Sequence, residues 1–283
     1  MTKVAVSLLL TIYSLLITST FSAIDSFVYG GCSQLKYTPG TPYESNVNSL
    51  LTSLVNSATS ATYNNFTIKS SSSPTDTLYG LFQCRGDLMA GNCASCVARA
   101  VNQLGTICLD STGGLLQLDG CFVKYDNVMF LGVEDKTEVL KKCGPLIGYG
   151  SDALTTRDGV LDYLGASDGS YKPYRVGGSG DFYARAQCVQ DLSASECQDC
   201  LSEAIRRLKT ECATAAWGDM YLAKCYLRIS GSGSHSHGGN GNNNEDEIEK
   251  TLAILIGLIA GVFLLIVFLS FLRKACEKGK GGK

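Results

Sequence analysis

The thirteen cysteines of this 283-residue chain are the side chains with the most chemistry to offer. Cys84, Cys93 and Cys96 stand in a C-x8-C-x2-C pattern, and Cys188, Cys197 and Cys200 repeat it. A close pair such as Cys93 and Cys96 suits either a tetrahedral zinc site or a thiol–disulfide couple. The compartment decides, because thiols pair in the oxidising secretory pathway and bind metal or do catalysis in the cytosol. Lys3, the apolar run Val4 to Ile17 and the small polar stretch Thr18 to Ala23 have the order of a secretory leader. A run of 14 residues falls short of the roughly 20 needed to cross a bilayer. Residues 1–23 are therefore expected to be a signal peptide, cut after Ser22 or Ala23. The cysteines are expected to be structural disulfides, with no metal and no cofactor.

The spacing says more than the residue type. Cys84, Cys93, Cys96, Cys108 and Cys121 all recur 104 residues later, as Cys188, Cys197, Cys200, Cys212 and Cys225. Their neighbours recur too: Tyr79/Tyr183, Gln83/Gln187, Asp87/Asp191, Leu88/Leu192, Ala100/Ala204, Leu104/Leu208 and Leu118/Leu222. One domain is present twice. Five cysteines per copy is odd, so Cys32 is assigned to the first and Cys143 to the second, which gives two sets of six. Six cysteines allow 15 pairings, and spacing does not choose among them.

Elements that could hold these cysteines are legible. Thr41-Pro42 reads as a helix N-cap followed by proline at the first helical position. Val47, Leu50, Leu51, Leu54, Val55 and Ala58 then fall on one helical face. A second helix is expected from about Asn92, with Cys96, Val97, Ala100, Val101 and Leu104 inward and Gly105 as its stop. Strands are expected at Phe27–Tyr29, Thr77–Gln83, Leu115–Leu118, Phe122–Tyr125 and Val128–Leu131. The second copy repeats the pattern, with a less regular first helix around Leu154, Leu161 and Leu164 that carries Gly159. Helices segregated from closely spaced strands indicate an α+β fold: two tandem disulfide-rich domains, each an antiparallel sheet with two helices packed on one face. The domains are expected at 24–133 and 137–230.

Beyond Ser230 the composition turns to Gly, Ser, His and Asn, which marks residues 231–250 as a flexible linker. Thr251 to Leu272 is uncharged over 22 residues, about 33 Å as a helix, so it is expected to be a transmembrane span. Arg273, Lys274, Lys278, Lys280 and Lys283 follow it, which places the tail 273–283 in the cytosol and the domains outside. Gly257 and Gly261 form a GxxxG helix-packing face consistent with a homo-oligomer. Cys276, just inside the membrane, is a candidate for palmitoylation. Asn65-Phe66-Thr67 is the chain's N-glycosylation sequon and is expected on an exposed loop.

A net charge of −2 with no basic stripe excludes a nucleic-acid partner. Both histidines, His235 and His237, lie in the linker, so neither repeat carries the usual general base. Asp119, Asp126, Glu134 and Asp135 read as solvated surface. No catalytic residue and no enzymatic activity is expected.

The C-x8-C-x2-C core, the distant sixth cysteine and the tandem duplication resemble the plant ginkbilobin-homologous cysteine-rich domains. Strings such as Tyr29-Gly30-Gly31-Cys32-Ser33, Tyr79-Gly80-Leu81-Phe82-Gln83-Cys84-Arg85-Gly86-Asp87-Leu88 and Asp119-Gly120-Cys121-Phe122-Val123-Lys124-Tyr125-Asp126 carry the likeness. Two such domains, one membrane span and a short basic tail resemble the plasmodesmata-located proteins over the whole chain. The resemblance implies the pairs Cys32–Cys108, Cys84–Cys93, Cys96–Cys121, Cys143–Cys212, Cys188–Cys197 and Cys200–Cys225. It also implies a plasma-membrane protein lining plasmodesmata, which regulates cell-to-cell trafficking and callose deposition, takes part in defence and serves viral movement proteins. Its partners would be proteins of the membrane and cell wall. The alternative is a receptor for cell-wall glycans. The mannose-binding triad of a related secreted protein falls here on Ser33, Leu115 and Asp126, and in the second copy on Gly144, Asp219 and Ser230, so the triad is missing from both.

Overall fold

The computed structural model describes residues 23–69, 77–148, 152–166 and 170–231. After a short 3-10 helix at Ala23–Asp25, the first domain runs β1 (Phe27–Cys32), α1 (Pro42–Ser57), β2 (Tyr63–Ile68), β3 (Leu78–Cys84), α2 (Ala90–Ile107), β4 (Gly114–Leu118) and β5 (Cys121–Asp126). The second runs β6 (Glu138–Cys143), α3 (Asp152–Gly165), β7 (Tyr174–Ser179), β8 (Phe182–Cys188), α4 (Ala194–Glu211), β9 (Gly218–Leu222) and β10 (Cys225–Gly231). Each forms an antiparallel five-stranded sheet, in the orders β1-β4-β5-β3-β2 and β6-β9-β10-β8-β7. These orders are the same topology written twice.

Alternation along the strands separates two faces. In the first sheet Leu78, Phe82, Leu116, Leu118, Val123 and Tyr125 meet Val47, Leu50 and Leu54 of α1 and Val97, Ala100 and Leu104 of α2. The second sheet buries Ala184, Ala186, Met220, Leu222, Leu227 and Ile229 under α3 and α4 in the same way. Helix α4 is closed by a capping box: Ser193 Oγ accepts from Glu196 N while Glu196 Oε2 accepts from Ser193 N.

Six disulfides tie these layers. Cys84–Cys93 and Cys188–Cys197 join the end of a strand to the helix that follows it; Cys96–Cys121 and Cys200–Cys225 fasten that helix to the central strand. Cys32–Cys108 and Cys143–Cys212 hold the edge strand to the helix C-terminus.

Several local expectations are corrected. Helix α2 starts at Ala90 and passes through Gly105, whose missing Cβ would point into open space. It ends where Cys108 is tied to Cys32 and Asp110 turns to a φ of 58°. Thr41 stands at the N-cap of α1 but its hydroxyl donates to Thr38 O, while Glu44 Oε2 accepts from Gly40 N. Tyr63–Ile68 is a strand, so Asn65 lies on a sheet edge and not in a loop. Its alternation of Tyr, Asn, Phe, Thr and Ile is half-buried and weakly apolar. Val128–Leu131 is not a strand: Val128 N donates to Asp126 Oδ1, and Phe130 O accepts from Lys224 Nζ in place of a ladder partner. The apolar period of helix α3 is irregular in the sequence because Arg157 occupies a core-facing place beside Val160, Leu161 and Leu164. Its Nη1 donates to Ala215 O at 2.7 Å.

Candidate functional site at the inter-domain face

Each sheet turns its second face away from its helices, and parts of these two faces meet. Outward positions of the first sheet supply Leu81 and Phe122, which cluster with Phe130 from the connecting segment and Val189 from the second domain. The Phe130 ring has Lys124 Nζ 4.4 Å from its centroid and Lys224 Nζ 5.5 Å away. Lys224 is itself buried, donating to Phe130 O and paired with Asp191. Burial, and after it the like charge of Lys224, holds Lys124 below the usual lysine range.

Asp119 is the centre of the other half. Its side chain is 10% exposed and takes guanidinium groups from Arg85 of its own domain and from Arg185 and Arg228 of the second. Arg228 also reaches Asp219 at 2.9 Å, and Arg85 reaches Asp87 at 2.6 Å. Three cations are thus matched by three carboxylates, which is what a largely dehydrated cluster requires. Beside it Tyr29 of β1 meets Tyr221 edge-on at 5.5 Å, and Tyr221 stacks on Tyr226 at 5.1 Å. The Cys84 carbonyl accepts from both Gln83 and Gln187, and Gln83 Oε1 accepts from Gln190 N. The space left among these side chains is about 20 Å³, room for little more than one water. The arrangement is a clamp between domains.

Two consequences can be measured. A Cβ on Gly86 would lie 2.5 Å from Tyr174 Cβ across this contact. Gly86→Ala is expected to cost about 1–3 kcal/mol, whereas Gly105→Ala, which meets open space, should stabilise by about 0.5–1 kcal/mol. Denaturant titration of the two variants checks the contrast. Burial also pushes Tyr125 and Tyr174 up to about 12 and Tyr29, Tyr221 and Tyr226 further up. An unfolded tyrosine ionises near its ordinary value of about 10. Above that pH the unfolded chain releases protons that the folded chain keeps, so stability is level up to about pH 9 and falls between about pH 10 and 12. Unfolding midpoints measured along that range test the sign.

Asp119 is therefore not solvated surface, and neither is Asp219. The sequence does carry a signal for the clamp. Helix-facing positions stay apolar in both copies, but three outward positions change charge: Leu81 becomes Arg185, Leu115 becomes Asp219 and Asp119 becomes Ala223, while Lys124 and Arg228 keep the positive charge.

The remaining site positions fall elsewhere. Asn65 is exposed on edge strand β2, with its Nδ2 donating to Tyr63 Oη at 2.9 Å. Of the mannose-triad positions, Gly144 lies under the Trp217 ring, where a Cβ would come within 2.4 Å, and Asp219 is spent on Arg228. Among the described residues no cluster of three or more His, Cys, Asp or Glu is placed to hold a metal, and no helix is long and apolar enough to cross a membrane. Residues 1–22 of the expected leader, residues 232–250 of the expected linker with His235 and His237, the expected span Thr251–Leu272 with Gly257 and Gly261, and Cys276 lie outside the described residues; Gly231, the first residue of the expected linker, ends β10.

Two clamped, disulfide-tied α+β domains define a tandem cysteine-rich protein. Residues 31–128 and 151–232 match the salt stress response/antifungal domain family. The chain is 62% identical to Arabidopsis thaliana plasmodesmata-located protein 6 over 98% of both chains. It is 58% identical to plasmodesmata-located protein 7 of the same plant over 93% of this chain and 87% of that one. The crystal structure of the tandem DUF26 ectodomain of the A. thaliana cysteine-rich receptor-like protein PDLP5 shares 48% identity and a TM-score of 0.68, covering 73% of this chain and 99% of that one. The corresponding ectodomain of PDLP8 gives 42% and 0.69, covering 74% and 99%. The chain belongs to the plasmodesmata-located protein family.

Proposed function

We propose that this protein is a membrane-anchored, non-enzymatic regulator of cell-to-cell trafficking at plasmodesmata, with its tandem ectodomain outside the cell. The observation that carries this reading is identity of 62% along 98% of both chains to a relative named for that location. The ectodomain acts by binding. Its buried carboxylates Asp119, Asp191 and Asp219 are committed to ion pairs, and the domains are held as one rigid platform. Thr251–Leu272 anchors it, Gly257 and Gly261 bring copies together, and acylated Cys276 sits at the cytosolic boundary. Partners are proteins of the membrane and wall, which relay the signal to callose deposition and defence; viral movement proteins exploit the same surface.

A fluorescent-protein fusion and a dye-movement assay test this. Punctate signal at wall junctions with altered dye spread is expected. Uniform plasma-membrane signal with unaltered movement would overturn it. Replacing Thr251–Leu272 by an unrelated helix then separates an address in the membrane segment from one in the ectodomain. A glycan on Asn65 would project from the exposed edge of β2 and block pairing with another strand there. The expected result is a single glycosidase-sensitive mass shift, lost in Asn65→Gln.

A further inference from the structure

One buried carboxylate oxygen stands beside the expected start of the mature chain. Asp25 has a side chain only 4% exposed; its Oδ2 pairs with Arg99 Nε at 3.0 Å, while Oδ1 finds no hydrogen-bond partner among the described residues. A buried carboxylate oxygen without a donor is costly, so the folded protein is expected to supply one. The segment that carries it is part of the first domain. Gly120 N donates to Ile24 O and Asp119 N donates to Ser26 O, both at 2.8 Å. Gly120 is packed so closely on Ile24 that a Cβ there would lie 2.8 Å from Ile24 Cβ. Ile24 to Ser26 therefore support the turn that presents Asp119 to the second domain, and processing must leave them in place.

We propose that leader cleavage falls directly before Ala23 or Ile24, and that the α-ammonium it creates is the partner of Asp25 Oδ1. Hydrolysis by a signal peptidase breaks the amide bond and adds one water. The leader keeps the carboxylate, and the released nitrogen takes protons to become a cation one or two residues from Asp25. In the uncleaved chain the same nitrogen is a neutral amide with a leader attached. Glu196 provides the precedent in this molecule, since its carboxylate reaches back to the backbone nitrogen of Ser193. Removal of the leader thus completes the support of the Asp119 turn and, through it, the clamp.

The experiment uses the full chain, secreted through a eukaryotic host and purified in detergent. Mass spectrometry should find the mature N-terminus at Ala23 or Ile24; a start at any other residue overturns the proposal. Competitive amine labelling near neutral pH then reads the α-amine. In the folded wild type it should react about ten-fold more slowly than in urea, the effect of one unit of pKa, and Asp25→Asn should remove that protection. Arg99→Gln takes away only the Oδ2 partner and should leave the protection intact. An α-amine that reacts equally fast in folded and unfolded wild-type protein sinks the idea, even where Asp25→Asn fails to be secreted.

Discussion

Asp119→Asn is expected to destabilise the ectodomain by about 3 kcal/mol, the lower end of the range for removing one partner of a buried ion cluster. The substitution keeps the size of the side chain and removes the one charge shared by Arg85, Arg185 and Arg228. Asp219 and Asp87 then face three guanidinium groups, and the surplus charge has limited access to water: Arg228 is 7% exposed and Arg185 20%. The effect should be inter-domain. Denaturant unfolding, expected as a single transition in the wild type, should move to lower denaturant or split as the domains uncouple. Protease should then reach the connecting segment around Phe130. An unchanged midpoint would show that solvent already screens the cluster. Asp119→Leu combined with Arg185→Leu should cost less than Asp119→Leu alone, because Arg85 keeps Asp87 and Arg228 keeps Asp219 while the guanidinium that faced Asp119 is removed with it.

Cys32→Ala with Cys108→Ala should have an effect of similar size. The chain-entropy estimate grows with the loop closed, and the three bridges of the first domain close 76, 9 and 25 residues. Losses of about 4.5, 2.6 and 3.5 kcal/mol follow for Cys32–Cys108, Cys84–Cys93 and Cys96–Cys121 respectively. Cys32–Cys108 has a second role. It anchors β1, an edge strand that pairs only with β4 and carries Tyr29 to the aromatic stack of the second domain. Its removal should loosen both the edge and the clamp. The measurement is the set of unfolding midpoints for the three double variants. A ranking with Cys84–Cys93 first would mean that lost packing at its fully buried sulfurs outweighs the loop term.

Much of this architecture is written in local pattern. The 104-residue offset shows the duplication, cysteine parity moves Cys143 to the second copy, and the period of Val47, Leu50 and Leu54 places a helix face against a core. Elsewhere the local pattern is ambiguous. Tyr63–Ile68 alternates too weakly to declare a strand, Arg157 hides a helical period, and Gly105 looks like a stop although nothing requires a glycine there.

The sequence alone determined what each copy must contain: one set of six cysteines, and strands and helices in the order of a layered α+β domain. Tertiary structure decided what the copies do to each other. Asp119 looks like a solvated charge because two of the groups that answer it, Arg185 and Arg228, arrive from the other copy. Burial and pairing of a charge depend on which faces meet in space, and a period of two or of 3.6 residues describes only the face on which a residue lies.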